Sequence, residues 1–224
     1  YPLFKFFLAK KERFGKAFKI MRFYAKLWLF FSGIFLRIKG KKNLKEAERP
    51  FLICANHSSF LDIPCLYSMI DQYFIFTGKK EIEKWPLFHI FYTSGMNILV
   101  DRKNKREAVK SLMRMMLVIG EGHPLFIFPE GTISSEAPRL AEFKSGVATI
   151  AIKKQIPILP ITFTTNWKRL ERKGFLKGKA GPGIAEAIIH PLIETEGLTK
   201  KDTENLLKKL RDTINTPLNE KYGV

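Results

Sequence analysis

The feature that most constrains this chain is a change of rhythm near residue 50. Beyond that point short apolar runs alternate with stretches of helical period. Strand-like runs lie at Phe51–Ala55, Tyr73–Thr77, Asn97–Asp101, Leu125–Phe128, Ile156–Thr164 and Ile184–Ile189. Between and after them, helical spacing predicts helices at Leu61–Met69, Trp85–Tyr92, Lys105–Ile119, Lys144–Lys153 and Lys200–Tyr222. Strands that alternate with helices fold as an α/β domain, here with a mixed, largely parallel sheet flanked by helices. In such folds ligand groups gather beyond the carboxyl ends of the strands. With 224 residues, the chain suits one such domain (residues 43–224) plus an appendage (residues 1–42).

The appendage has a composition of its own. Residues 1–42 contain twelve Lys or Arg, one acid (Glu12) and nine of the 20 Phe. They carry +11 of a formal net charge of +18. A basic arm that binds nucleic acid seldom carries so many aromatic side chains, whereas a segment lying in a membrane interface needs both. Between Gly15 and Lys39, polar Lys19, Arg22, Lys26, Gly33 and Arg37 recur at helical spacing on an otherwise apolar surface. A shorter basic, aromatic segment, Phe4 to Phe14, precedes it. The expectation is a two-helix membrane-interface motif hinged at Gly15, with Lys and Arg stems reaching toward anionic headgroups. The alternative is that the apolar face packs on the domain core. The longest charge-free run, LWLFFSGIFL, is too short for a spanning helix, which needs about 20 apolar residues. Charges scattered throughout also argue against a cleavable signal peptide.

Polar groups stand at four predicted strand ends. Asn56-His57-Ser58-Ser59-Phe60-Leu61-Asp62 follows the first strand, and Asp101-Arg102 follows the third. Phe128-Pro129-Glu130-Gly131-Thr132 follows the fourth, and Pro157 to Ile161 opens the next. A loop after His57 that brings Asp62 back to the ring makes a base with its orienting carboxylate. Such a pair lacks a protein nucleophile but suits deprotonation of a substrate alcohol. The alternative is a helix N-cap at Ser58 or Ser59 with His57 incidental. In the Glu130-Gly131-Thr132 turn, glycine permits backbone N–H groups to face an anion. Glu130 itself suits a substrate hydroxyl or a basic side chain. Arg102 and Lys79 are candidate phosphate ligands, with a solvated surface charge as the alternative for each.

Other chemistries lack their residues. There is no G-x-S-x-G elbow, no phosphate-binding G-x-x-x-x-G-K-[ST] loop and no complete dinucleotide fingerprint. His89, His123 and His190 are isolated, so no zinc spacing appears. Cys54 and Cys65 sit among apolar neighbours, which fits small buried hydrophobes in a reducing compartment. No metal or bound cofactor is expected.

In order and spacing, the four strand-end stretches resemble the glycerolipid acyltransferases, with the bacterial lysophosphatidic acid enzymes nearest in pattern. The resemblance runs from about residue 40 to residue 190. It implies acyl transfer from an acyl-carrier-protein or CoA thioester to the sn-2 hydroxyl of lysophosphatidic acid, at the cytoplasmic face of the cell membrane. It further implies that His57 is the general base, that Asp62 orients it, and that Lys79, Arg102, Glu130, Gly131 and Thr132 bind the glycerophosphate. Pro157 to Ile161 would shape a substrate pocket. The partners implied are the lysolipid, the thioester donor and a bilayer with anionic lipids, with no nucleic acid. Two positions depart from the pattern. Ile133 stands where the family often has Arg, leaving Arg139 or Lys144 to replace it, and Met96 stands where a Gly is usual. A relative acting on glycerol 3-phosphate or another lysophospholipid is an alternative, and a non-enzymatic lipid- or nucleic-acid-binding module is another.

Overall fold

The computed structural model describes residues 1–45, 50–101, 104–173 and 178–224. Among the described residues, seven strands form one sheet: β1 (Ile34–Lys39), β2 (Leu52–Ala55), β3 (Ile75–Lys79), β4 (Ile98–Val100), β5 (Leu125–Ile127), β6 (Ile158–Phe163) and β7 (Gly183–Ile189). Their order is β1-β7-β6-β2-β5-β3-β4. Among the described strands only β6 and β7 pair antiparallel, and every other neighbouring pair is parallel. The sequence-based expectation of a mixed, largely parallel sheet holds.

Both faces of the sheet are covered, which explains why its central strands are continuously apolar rather than alternating. Side chains of β2 still point to opposite sides at a period of two. Phe51, Ile53 and Ala55 face a core shared with helices α2 (Phe14–Phe31) and α4 (Asp62–Met69). Leu52 and Cys54 face a second core shared with α6 (Lys105–Gly120), α7 (Gly146–Lys154) and α9 (Thr203–Tyr222). Helix α9 presents Leu206, Leu210, Ile214 and Leu218 at i, i+4 spacing, all buried. Each such side chain stabilises the fold by roughly 1.5–3 kcal/mol. Helix α6 begins where Asn104 accepts hydrogen bonds from the N–H groups of Arg106 and Glu107. The remaining helices among the described residues are α1 (Pro2–Leu8), α3 (Lys41–Lys45), α5 (Ile90–Thr93) and α8 (Asn166–Arg169).

The amino-terminal segment differs from the expectation in two ways. The break between helices falls at Ala9–Arg13, ending in a 3₁₀ turn at Lys11–Arg13, and Gly15 lies inside α2. Helix α2 also stops at Phe31, so Ile34–Lys39 is a strand and not the end of a helix. The physical reason is Gly33, at φ +66°, whose N–H bonds back to the Phe30 carbonyl. Its position needs glycine for a second reason: a Cβ there would lie 2.8 Å from Pro182 Cβ. The predicted helix at Trp85–Tyr92 is likewise shorter, a single turn at Ile90–Thr93 behind the Trp85-Pro86-Leu87-Phe88 loop.

Helix α2 has apolar side chains on two sides. Phe14, Ala17, Phe18 and Leu29 are buried on the domain. Phe18 packs edge-on against Tyr73 and Phe74. Arg22 donates to the Tyr67 carbonyl at 3.2 Å and pairs with Asp71. The other side leaves Phe23, Tyr24, Phe30 and Phe31 in solvent, Phe31 being 78% exposed. No helix among the described residues is long and apolar enough to cross a membrane.

Candidate active site

The site lies beyond the carboxyl ends of β2 and β5, which are neighbours in the sheet. Strand β2 delivers Asn56 and His57, and helix α4 begins at Asp62. The five intervening bonds form a tight loop that folds the carboxylate back. Asp62 is fully buried, and its Oδ2 lies 3.0 Å from His57 Nδ1. The same oxygen accepts the N–H groups of Ser58 at 2.7 Å and Ser59 at 2.9 Å. Asn166, on α8, donates to Oδ1 at 2.8 Å. Neither serine side chain caps α4. Ser59 Oγ instead donates to the Leu170 carbonyl and accepts from the Leu61 N–H.

A carboxylate at Nδ1 holds the imidazole in the tautomer with its proton on that nitrogen, so Nε2 carries the lone pair. Phe128 at the end of β5 stacks on the ring, with centroids 3.8 Å apart and planes 7° from parallel. Backbone bonds fix the rest of the residue. Glu130 Oε1 accepts the His57 N–H at 2.7 Å, and the Ser134 N–H donates to the His57 carbonyl at 2.9 Å. Asn56 clamps the loop to β6 through two hydrogen bonds with the Phe163 backbone.

Glu130 occupies the hinge of this arrangement. It is buried, and its second oxygen accepts the Ala141 N–H at 2.7 Å. Burial raises its carboxyl pKa from 4.5 to about 7, against the pull of the two N–H donors. The backbone of Gly131 has φ +75°, and its N–H donates to the Phe128 carbonyl.

Two cavities are lined by residues next to the pair. The smaller, about 340 Å³, is lined by Lys79, Glu130, Gly131, Thr132 and Lys144, with Glu81 and Val100. Lys79 Nζ donates to Thr132 Oγ1 at 3.3 Å. The larger, about 790 Å³, is almost wholly apolar and runs between α2, α4 and the Trp85–Phe88 loop. Its walls include Trp28, Phe60, Tyr67, Phe76 and Phe91. Phe60, three residues beyond His57, lines this cavity, while Glu130, bonded to His57, lines the other.

A profile of the acyltransferase family matches residues 35–164, more than half of the chain. The chain belongs to the acyltransferase family. Among relatives of this chain, a chloroplastic 1-acyl-sn-glycerol-3-phosphate acyltransferase of Brassica napus is 34% identical over 77% of the chain. The chain spans half the length of that relative. A 1-acyl-sn-glycerol-3-phosphate acyltransferase of Saccharomyces cerevisiae is 30% identical over 84% of the chain and 61% of its own length. In fold, the chain is similar to the crystal structure of the 1-acyl-sn-glycerophosphate acyltransferase PlsC from Thermotoga maritima. The TM-score is 0.77 at 23% identity, covering 94% of this chain and 81% of that one.

The fold thus joins His57 to Asp62, and Lys79 to Glu130, Gly131 and Thr132. Arg102 lies outside the described residues. Lys144 lines the smaller cavity, whereas Ile133, in the position often held by Arg, is buried. Pro157 to Ile161 are buried in and just before central strand β6 and line neither cavity. Their work is in the core, which corrects the expectation of a pocket role. Sequence reasoning missed Phe128 as the ring's stacking partner and Asn166 and Ala141 as second-layer hydrogen-bond donors. Asn166 carried no signal, because its partner is 104 residues away.

Proposed function

We propose that this acyltransferase moves a fatty acyl group from an acyl-carrier-protein or CoA thioester to the sn-2 hydroxyl of lysophosphatidic acid, giving phosphatidic acid. One observation carries the reading: a histidine held by a buried carboxylate adjoins, through Glu130, a cavity rimmed by lysines and, through Phe60, an apolar cavity. That division matches an acceptor with a phosphate at one end and hydrocarbon at the other. The larger volume is within the range of small-ligand sites, roughly 300–1,000 Å³.

In this reading Lys79, Thr132 and Lys144 hold the phosphate, and Arg102 adds to them. Glu130 acts on the substrate through His57, since its two oxygens already accept backbone N–H groups. His57 Nε2 takes the proton as the acceptor hydroxyl attacks the thioester carbonyl. The tetrahedral intermediate collapses, the C–S bond breaks, and the imidazolium returns the proton to the departing thiolate. Asp62 stabilises the imidazolium while it exists. A thioester is already activated, so no protein nucleophile is required.

The exposed aromatic face of α2 and the half-exposed Trp85, Leu87 and Phe88 dock the protein on one leaflet with anionic lipids, at the cytoplasmic face. Tyr24 of that face and all three loop residues line the apolar cavity, so in this reading an acyl chain passes from the bilayer without crossing water.

The test is acylation of lysophosphatidic acid in detergent with each thioester, with glycerol 3-phosphate and other lysophospholipids as competitors. Phosphatidic acid from wild type and none from a folded His57→Ala variant is the expected result. Turnover by His57→Ala, or failure of wild type with both donors, refutes the reading.

A further inference from the structure

The acyltransferase match ends at residue 164, yet the catalytic loop is tied to the last helix of the chain. Arg211 lies on α9 beside fully buried Leu210. Its Nη1 donates to the Ala141 carbonyl at 2.5 Å and its Nη2 to the Leu140 carbonyl at 3.1 Å. The guanidinium sits 5.5 Å from the Phe143 ring centroid. Ala141 then turns its own N–H to Glu130 Oε2, and Glu130 Oε1 takes the His57 N–H, both at 2.7 Å. Four groups in series connect the carboxy-terminal helix to the base.

We propose that Arg211 is a positioning residue for His57, acting through residues 140–141 and the Glu130 carboxylate. The fork of the guanidinium fixes two successive carbonyls, which a lysine ammonium does not do. It thereby sets where the Ala141 N–H points and where Glu130 must sit to receive it.

The ionised form of Glu130 is the one that fits. A carboxylate accepts both N–H groups, whereas a carboxylic acid turns an O–H toward one of them. Asp62, Arg211 and the cavity residues Lys79, Glu81 and Lys144 are the charged groups that face it. Burial and Asp62 favour its protonation, and Arg211 opposes it. As pH falls through about 7, Glu130 protonates and the His57 backbone loses its anchor. Removing the Arg211 charge moves that loss to higher pH.

The inference rests on the acyl-transfer reading, and its test separates the two. Arg211→Gln is expected to lower kcat about tenfold near neutral pH, shift the acid limb of kcat upward, and leave KM for lysophosphatidic acid within about twofold. Arg211→Lys keeps the limb in place with a smaller loss. In a Glu130→Gln background, Arg211→Gln costs nothing further beyond about twofold. An unshifted limb in folded Arg211→Gln overturns the proposal, as does an equal loss in both backgrounds or a rise in KM alone. Should Arg211→Gln not fold, Arg211→Lys carries the same cycle. The pH titration of the His57 backbone amide by NMR requires no substrate. It moves to higher pH in Arg211→Gln even if the acceptor has been wrongly assigned.

Discussion

Replacing Asp62 with Asn tests the centre of the site at nearly constant shape. The carboxylate receives the His57 ring, two backbone N–H groups and the Asn166 amide. The Asn oxygen, placed where Oδ2 was, still accepts the first three. Its NH₂ then meets the Asn166 NH₂, and a flip of the Asn166 amide resolves the conflict. Asn166 Oδ1 is buried and accepts no hydrogen bond among the described residues, so the flip supplies an acceptor already in place. The tautomer of His57 therefore survives, and what disappears is the negative charge beside the imidazolium. With Nδ1 and Oδ2 3.0 Å apart, charges centred roughly 4 Å apart attract by about 4 kcal/mol at an effective dielectric near 20. Part of that is recovered from the amide dipole. The expected fall in kcat is about 10²- to 10³-fold, with KM for lysophosphatidic acid nearly unchanged, because Asp62 lines neither cavity. Initial rates of thiol release against acceptor concentration, with thermal unfolding as the control on folding, measure both. A folded Asp62→Asn enzyme within tenfold of wild-type kcat refutes the electrostatic role assigned to the carboxylate.

Lys144→Met is expected to raise KM for lysophosphatidic acid roughly tenfold, with kcat little altered, as for loss of one exposed charge on a phosphate. Unchanged KM in the same thiol-release assay removes Lys144 from the phosphate site. Replacing exposed aromatics by acids in Phe30→Glu/Phe31→Glu is expected to abolish sedimentation with vesicles containing anionic lipid, while activity in detergent persists. Undiminished sedimentation places the contact elsewhere.

The strands were legible because a sheet covered on both faces writes itself as unbroken apolar runs: β2 and β6 are buried along their whole length. Strand β1 was not, although Ile34, Leu36 and Ile38 do point inward at a period of two. It is an edge strand whose outward side carries Phe35, 63% exposed, and that apolar residue let the segment pass for helix. The stop signal, Gly33, was present and went unused. His57 and Asp62 were legible because only four residues separate them and the loop closes locally. The hydrogen bonds of Glu130 were not, since its donors lie 73 and 11 residues away and are backbone groups, which no sequence pattern marks. The two-sided character of α2 was also hidden, because buried Phe18 and exposed Phe31 are the same letter.

Strand β1 pairs with β7, Ile34 opposite Gly183 and Lys39 opposite Ile188. During synthesis the first strand therefore waits for the last before its backbone is paired. Throughout that interval the aromatic face of α2 and the unpaired edge of β1 are available together, a pairing that favours aggregation. Truncations that remove β7 leave both the edge and the greasy helix without their partners, and such fragments will be recovered as aggregates rather than as smaller folded domains.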